Sequence, residues 1–555
     1  MNTTINIKKR KVNVSMKLLC AAFFTLHSSL FISCTDWDDH YEDPVTQSSS
    51  ALTLWQTIQQ YPELSDFSEV LSKTMFIKQH KKTEVSYADQ LNGSQTFTVL
   101  APVNGSFDKA SLLAQLETDS GDSAVIRSFV GNHLSYGMVS HTATPSDFYL
   151  LNTKHAAIGA GNVLGSSIQK ENVRAKGGIL HILERPIPYR YNIYEALLND
   201  NRYMALGQLL NSYEDDEFNP TLSIPGEMID GEQIYIDSVF DQHNIMLDRV
   251  GKIADEDSTF IMLVPNATEW DRVWQEALTY YRYAPAVIGA DSLQRFWSAY
   301  SLLNDAIFSR KIQASPIDSL VTYDYNRKYP KYHVFHKPFE EGGILYGATP
   351  TEYSNGTLYT TDHWPLTPET TFQREIKIEA ENESNILSKG VNCDNKKEMV
   401  NADSVSENGY MSIKPLQVAS NWDITYELKD VLSGTYDICV IMLPLTVADV
   451  NARTQPTKFK ATLSYLDAKG NSKTLKCVTK ENSKDFLNDS VCVDTVVLAE
   501  NFTFPVCNYD QSNTKFSLKL ETSVTNNDII NLGNKYTRQM LLDCIYLRPK
   551  KRVEE

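Results

Sequence analysis

Thr96-Phe97-Thr98-Val99-Leu100-Ala101-Pro102-Val103-Asn104-Gly105-Ser106-Phe107 decides how the first half of the chain folds. Its β-branched and aromatic residues read as a strand, and the proline stops the hydrogen-bond ladder before a helix opens. Thr259-Phe260-Ile261-Met262-Leu263-Val264-Pro265-Asn266-Ala267-Thr268-Glu269-Trp270 repeats the pattern. A second motif follows each copy: Lys176-Gly177-Gly178-Ile179-Leu180-His181-Ile182 and Ser354-Asn355-Gly356-Thr357-Leu358-Tyr359-Thr360. Gly-Gly and Asn-Gly supply the positive φ that tight turns need. Pro102 to Gly178 spans 76 residues and Pro265 to Gly356 spans 91, so the second copy is the longer. Two tandem copies of one unit are expected.

Helical spacing agrees. Leu52, Trp55 and Ile58 recur at three, as do Leu64, Phe67 and Val70, with Pro62 between the two stripes. The second copy opens on Ile193, Leu197, Tyr203, Leu206, Leu209 and Leu210. Leu293, Phe296, Trp297, Tyr300 and Leu303 read as core. Trp274, Tyr280, Tyr281 and Tyr283 read as core or as an exposed aromatic platform.

On these residues the chain resembles the fasciclin-like domain. Leu100-Ala101-Pro102-Val103-Asn104 and Gly178-Ile179-Leu180-His181 match the family's two motifs, with Asn132-His133 between them. The divergent second copy keeps Val264-Pro265-Asn266 and Asn355-Gly356, with Asn304-Asp305 at the middle element and Tyr359 at the His position. The resemblance implies fasciclin-like domains over 50–189 and 190–370, each a β-sheet wedge with helices.

From about 373 the texture changes to short alternating strands, among them Trp422–Leu428, Thr435–Ile441 and Met540–Leu547. Several such strands within one stretch suggest a sandwich. The expected fold class is therefore α+β followed by an all-β, jelly-roll-like sandwich over 373–550. Ile378-Glu379-Ala380-Glu381-Asn382, Ser433-Gly434-Thr435-Tyr436 and Leu542-Asp543-Cys544-Ile545-Tyr546-Leu547 resemble carbohydrate-binding modules of the galactose-binding-like type. That resemblance implies that Glu379 and Asp543 help hold a structural calcium, for which carboxylates are suited. The plainer alternative is two solvated acids at strand ends. No other cofactor is expected.

The N-terminus reads as an address. Residues 1–33 carry Lys8, Lys9, Arg10, Lys11 and Lys17, no acid, and an apolar run from Leu18 to Ser33 that is too short to span a bilayer. Either Met1 or Met16 can start it. Phe31-Ile32-Ser33-Cys34 resembles a bacterial lipobox, which implies a signal peptide over 1–33 and acylation of Cys34. Residues 34–49 form an acidic tether with acids at 36, 38, 39, 42 and 43. This resembles the export signal of Bacteroidetes lipoproteins displayed on the outer face of the outer membrane. Two acyl chains at about 0.8 kcal/mol per buried methylene suffice for stable anchoring.

The 555-residue chain has a net charge of −17, and a chain cut after Ser33 has −22. Such a balance argues against nucleic acid as a partner, since phosphate binding needs clustered Lys and Arg. The composition, 42% hydrophobic with 24 Gly and 21 Pro, excludes collagen-like and disordered chains. Six of the eight cysteines fall after residue 390, where disulfides and buried free thiols are both open readings.

Catalytic motifs do not emerge. There is no HExxH, Walker loop or GxSxG. His333 and His336 stand three apart in a strand-like run and so face opposite ways. Gly159–Gly165 reads as a turn, and His133 and His181 read as satisfied structural imidazoles. Glu214-Asp215-Asp216 would serve glycoside chemistry only across a cleft. The expectation is a non-catalytic, lipid-anchored surface protein that binds extracellular glycan or protein. It would belong to an outer-membrane polysaccharide-capture system, with a transporter or another surface lipoprotein as partner. The alternative is an adhesion or scaffold protein that binds no glycan.

Overall fold

Each repeated strand lies inside its own sheet, flanked by an antiparallel strand on one side and a parallel strand on the other. The structure is a computed structural model. It describes residues 52–551 apart from 79–80, 119, 230–231, 310–317, 323–332, 418–419, 480–484, 513–514 and 531–534. The signal segment, Cys34 and the acidic tether lie outside the described residues.

In the first unit, helices α1 (Leu54–Ile58), α2 (Ser65–Lys73) and α3 (Tyr87–Asn92) precede the sheet. Its strands are β1 (Phe97–Pro102), β2 (Leu134–Tyr136), β3 (Ser146–Tyr149), β4 (His155–Gly159), β5 (Asn162–Val163), β6 (Ser166–Ala175) and β7 (Gly178–Leu183). They lie in the order β2-β1-β7-β6-β5-β4-β3, with β1 parallel to β7. Strands β1 and β7 are buried along their whole length, which explains why they read as continuous apolar runs rather than alternations.

The second unit opens with α4 (Ile193–Asn199) and α5 (Met204–Asn211). A long hairpin follows, β8 (Glu214–Ile229) and β9 (Glu232–Asn244), where the first unit has only the short strands Met75–Lys78 and Lys81–Ser86. Then come β10 (Phe260–Pro265), α6 (Ala267–Tyr280), α7 (Ala290–Leu303), β11 (Ile307–Ser309), β12 (Thr349–Tyr353) and β13 (Gly356–Thr361). The sheet order β11-β10-β13-β12, with β10 parallel to β13, repeats β2-β1-β7-β6.

Gly178 and Gly356 hold these parallel pairs together. Both sit at φ +152°, and a Cβ would lie 1.9 Å from the Phe97 carbonyl oxygen and 2.0 Å from that of Phe260. The asparagines after the two prolines act differently. Asn104 accepts from Asp66 N at 2.9 Å near the start of α2, whereas Asn266 caps α6 by accepting from Glu269 N at 2.9 Å.

The units meet at Lys154, which is 5% exposed. Its ammonium donates to Glu195 Oε2 at 3.0 Å, Glu256 Oε1 at 2.6 Å and Ser354 Oγ at 3.3 Å, all on the second unit. Removing either kind of partner would strand a buried charge.

The last part of the chain is all β, arranged as two six-stranded sheets. One contains β14 (Ile376–Glu379), β16 (Cys393–Met399), β17 (Gly409–Pro415), β19 (Thr435–Leu443), β23 (Asp494–Thr503) and β25 (Met540–Lys550). Its order is β16-β17-β25-β19-β23, with β14 also on β25. The other contains β15 (Ile386–Lys389), β18 (Asp423–Glu427), β20 (Lys458–Leu466), β21 (Ser472–Cys477), β22 (Phe486–Leu487) and β24 (Ser517–Thr522). Its order is β15-β18-β24-β20-β21, with β22 also on β20. Trp422, Tyr426, Ile438, Val440, Phe459, Leu518 and Leu542 pack between the sheets. The fold is α+β followed by a β-sandwich. The six cysteines of this part are free thiols, five of them buried and Cys492 exposed.

Candidate functional site

Besides the Lys154 joint, polar chemistry gathers at two further places among the described residues. The first joins the opening and closing strands of the sandwich. Strand β25 pairs with β19 through Ile441↔Cys544 and Met442↔Leu542, which leaves Asp543 as the extra residue of a bulge. A bulge re-aims its side chain. Asp543 here turns toward Glu379, which faces Cys544 across the β14–β25 pair. Oxygen atoms of Glu379 and Asp543 and the sulfur of Cys544 lie within 4.8 Å of one another.

Ser406 bridges the two acids: its N–H donates to Asp543 Oδ1 at 3.1 Å and its hydroxyl to Glu379 Oε1 at 2.7 Å. Glu379 Oε2 and Glu381 Oε2 are buried with no hydrogen-bond partner. Burial, aided by Glu379, pushes the Asp543 carboxyl up to about 6, and burial likewise raises Glu381. Burial pushes the Cys544 thiol to about 12, so it stays protonated and adds no charge. Crowded carboxylates with orphaned oxygens fit a hard divalent cation, and the soft thiol is not a donor such an ion seeks. Glu381 and Ser406 were not assigned from sequence. The alternation Glu379-Ala380-Glu381 was the signal available for Glu381, which lies just past the end of β14.

The second place is a cleft of about 630 Å³ where the second unit meets the sandwich. Backbone bonds tie the two bodies: Ser433 N donates to Tyr280 O at 2.8 Å and Cys507 N to Arg282 O at 2.7 Å. Tyr280, Tyr281 and Tyr283 are buried in this seam, so they form interface core rather than an exposed platform. Helix α7 supplies Trp297 and Tyr300, with ring centroids 5.5 Å apart, and the sandwich loop supplies Tyr509, 4.9 Å from Trp297. Trp297 is 7% exposed, and its indole N–H has no hydrogen-bond partner. Asp305, at the end of α7, contacts Nδ1 of His333, and Arg374 Nη2 lies 2.8 Å from the same nitrogen. Asp430 and Asp510 stand at the sandwich side of the cleft, where Asp510 N donates to Asp430 Oδ1 at 3.0 Å. Such a surface offers ring faces and hydroxyl acceptors.

The other sequence candidates fall elsewhere. His333 faces the cleft while His336 bonds Ser319 Oγ at 2.8 Å. His133 is fully buried: Nδ1 bonds Phe129 O at 2.8 Å, Nε2 accepts from Ile187 N at 2.9 Å, and burial lowers its pKa to about 4. His181 bonds Val139 O at 2.9 Å, and burial again lowers its pKa. Glu214, Asp215 and Asp216 begin the long hairpin. Among the described residues of the sandwich, no aromatic side chain belongs to its exposed large hydrophobic residues.

No family model matches the chain, and no curated protein matches it. Several solved structures show partial likeness. A family 22 carbohydrate-binding module of the xylanase Xyn10B from Clostridium thermocellum has 10% identity and a TM-score of 0.21, covering 32% of this chain and 95% of that one. A two-module piece of the same enzyme has 14% identity and a TM-score of 0.22, covering 32% of this chain but only 29% of that one. The domain pair of the insect cell adhesion molecule fasciclin I has 12% identity and a TM-score of 0.18, covering 49% of this chain and 89% of that one.

Proposed function

We propose that the protein is a non-catalytic, lipid-anchored surface protein that captures extracellular glycan at the seam between its second α+β unit and its sandwich. The proposed organisation is a signal peptide over 1–33, a tether over 34–49 from acylated Cys34, two fasciclin-like domains over 50–189 and 190–370, and a glycan-associated sandwich over 373–550. The observation that carries the reading is the seam cleft, where Trp297, Tyr300 and Tyr509 meet Asp305, His333 and Arg374. Aromatic faces pack against sugar C–H surfaces, and carboxylates accept hydrogen bonds from hydroxyls. Recognition at equilibrium needs rigid walls, and here two folded bodies provide them. Delivery to an outer-membrane transporter or another surface lipoprotein completes the proposed role.

A calcium ion fits between the carboxylates of Glu379 and Asp543. It would neutralise carboxylates that otherwise repel one another and so fasten the first strand of the sandwich to its last.

Calorimetric titration of the mature protein with a panel of oligosaccharides tests the glycan reading. Binding by at least one is expected, with Tyr300→Ala weakening it at least tenfold. Absence of heat with every sugar, from protein shown to be folded, overturns it. Cys34→Ala is expected to move the protein from the membrane fraction to the soluble one, and retention in the membrane would count against acylation.

A second reading, docking to another surface protein, is favoured by the β8–β9 hairpin. Among the described residues it pairs with no other strand, and it exposes Leu222, Ile224, Met228 and Phe240.

A further inference from the structure

The cleft lining sets four carboxylates, Asp305, Glu375, Asp430 and Asp510, against the guanidinium of Arg374. That guanidinium is already engaged, with Nη2 at His333 and Nε at the Thr371 carbonyl. The nearby cation of Arg249 lies over the Phe296 and Trp297 rings at 5.2 and 5.4 Å. Asp430 and Asp510 both adopt left-handed backbone, at φ +54° and +53°. Non-glycine residues held there by tertiary structure cluster at functional sites. The unpartnered, buried indole N–H of Trp297 in the same lining is a donor that the protein itself leaves unused. The whole chain adds a negative field of its own, which a cleft with low-dielectric walls focuses.

We infer that this cleft selects uncharged sugars and excludes glycans that carry carboxylate or sulfate groups. The inference rests on the glycan reading and adds the ligand's charge class to it. A neutral pyranose brings hydroxyl donors that Asp430, Asp510 and Glu375 accept, and apolar faces that Tyr300 and Tyr509 cover. A uronate or sulfate brings like charge against three exposed carboxylates, and among the described lining residues Arg374, already engaged, is the guanidinium that offsets them. Screening falls off over roughly 8 Å at physiological salt, so the repulsion persists at contact distance and weakens as salt rises.

The test is calorimetric titration of the mature protein at 50 and 500 mM salt, conditions chosen to bracket strong and weak screening. The probes are neutral hexasaccharides of glucose, mannose and xylose, hexagalacturonate, and a sulfated glycosaminoglycan hexasaccharide. The expected result is a neutral probe bound at least tenfold more tightly than either anionic probe at low salt, with little salt dependence. Asp430→Asn with Asp510→Asn is expected to raise affinity for an anionic probe at least fivefold; asparagine tolerates the left-handed backbone, so the fold survives. An anionic probe bound as tightly as the neutral ones, or no gain in the double variant, overturns the charge selection and leaves the glycan reading standing. No binding of any probe overturns the glycan reading itself. Shortened sugars recovered after incubation would show turnover and overturn a passive cleft.

Discussion

In the first unit Leu100 N–H bonds the carbonyl of His133 at 2.9 Å, and in the second Leu263 N–H bonds that of Ala306 at 2.8 Å. The two sheets superpose in register at this point, yet one strand begins on a buried imidazole and the other on a methyl group. His133 staples Phe129 to Ile187 and closes the first unit over its central sheet. Ala306 can staple nothing. Its neighbour Asp305 is instead paired with His333, at the edge of an open cleft. The lesson is that one sheet plan tolerates either a sealed or an open flank, depending on the residue before its short antiparallel strand.

What the units share should be most sensitive to change. Gly178→Ala and Gly356→Ala each force a Cβ into a carbonyl oxygen of the neighbouring strand. Each is expected to cost about 4 kcal/mol or more, read by chemical denaturation. A mild effect at one site only would break the equivalence of the two sheets.

The next effect belongs to the first unit alone. His133 stays neutral down to about pH 4 in the folded state but takes a proton near 6.5 when unfolded. The unfolded chain therefore binds more protons between those values, and stability falls as pH drops through that window. The loss approaches about 3 kcal/mol at pH 4. Protection of peptides from 97–187 against hydrogen exchange, corrected for the slower intrinsic exchange in acid, should fall on acidification before that of peptides from 260–361 does. Equal sensitivity in both units would remove the distinction.

The smallest expected effect has the opposite sign and sits in the sandwich. Asp543 titrates at about 6 when folded, above its ordinary value of 3.8. Without calcium the stabilising contribution of Asp543 is then fully present below about pH 4 and is lost as pH rises through 6. Saturating calcium should abolish that loss, as read by melting at pH 4.5 and 7.5 in chelator and in calcium. Identical curves in both media would count against the ion.

Much of this architecture was legible in the chain. Pro102 and Pro265 end fully buried strands, and Gly177-Gly178 and Asn355-Gly356 mark tight turns between antiparallel strands, because few residue types satisfy those local demands. Tyr359 pairs with Leu263 as His181 pairs with Leu100, in keeping with the alignment of the second motif. The middle element was misaligned by one residue. Asn304-Asp305 looks like Asn132-His133 in writing, whereas the strand register sets Asp305 beside Asn132 and Ala306 beside His133. Short antiparallel strands carry too few side chains to fix register from pattern alone. The cleft was not legible, because its walls come from Tyr281, residues 297–305, His333, and residues 371–376, 430–436 and 509–510, which only the packing of two bodies brings together. The β8–β9 hairpin escaped notice, and among its described residues Leu222, Ile224, Met228 and Phe240 face solvent rather than a core.

Lys154 has a consequence beyond holding two units together. An amine enclosed by two carboxylates and almost hidden from solvent is poorly placed to meet an acylating reagent, unlike the lysines of the outer surface. Its labelling would occur when the two halves part, so the extent of modification at that single nitrogen is a clock for how often the joint opens.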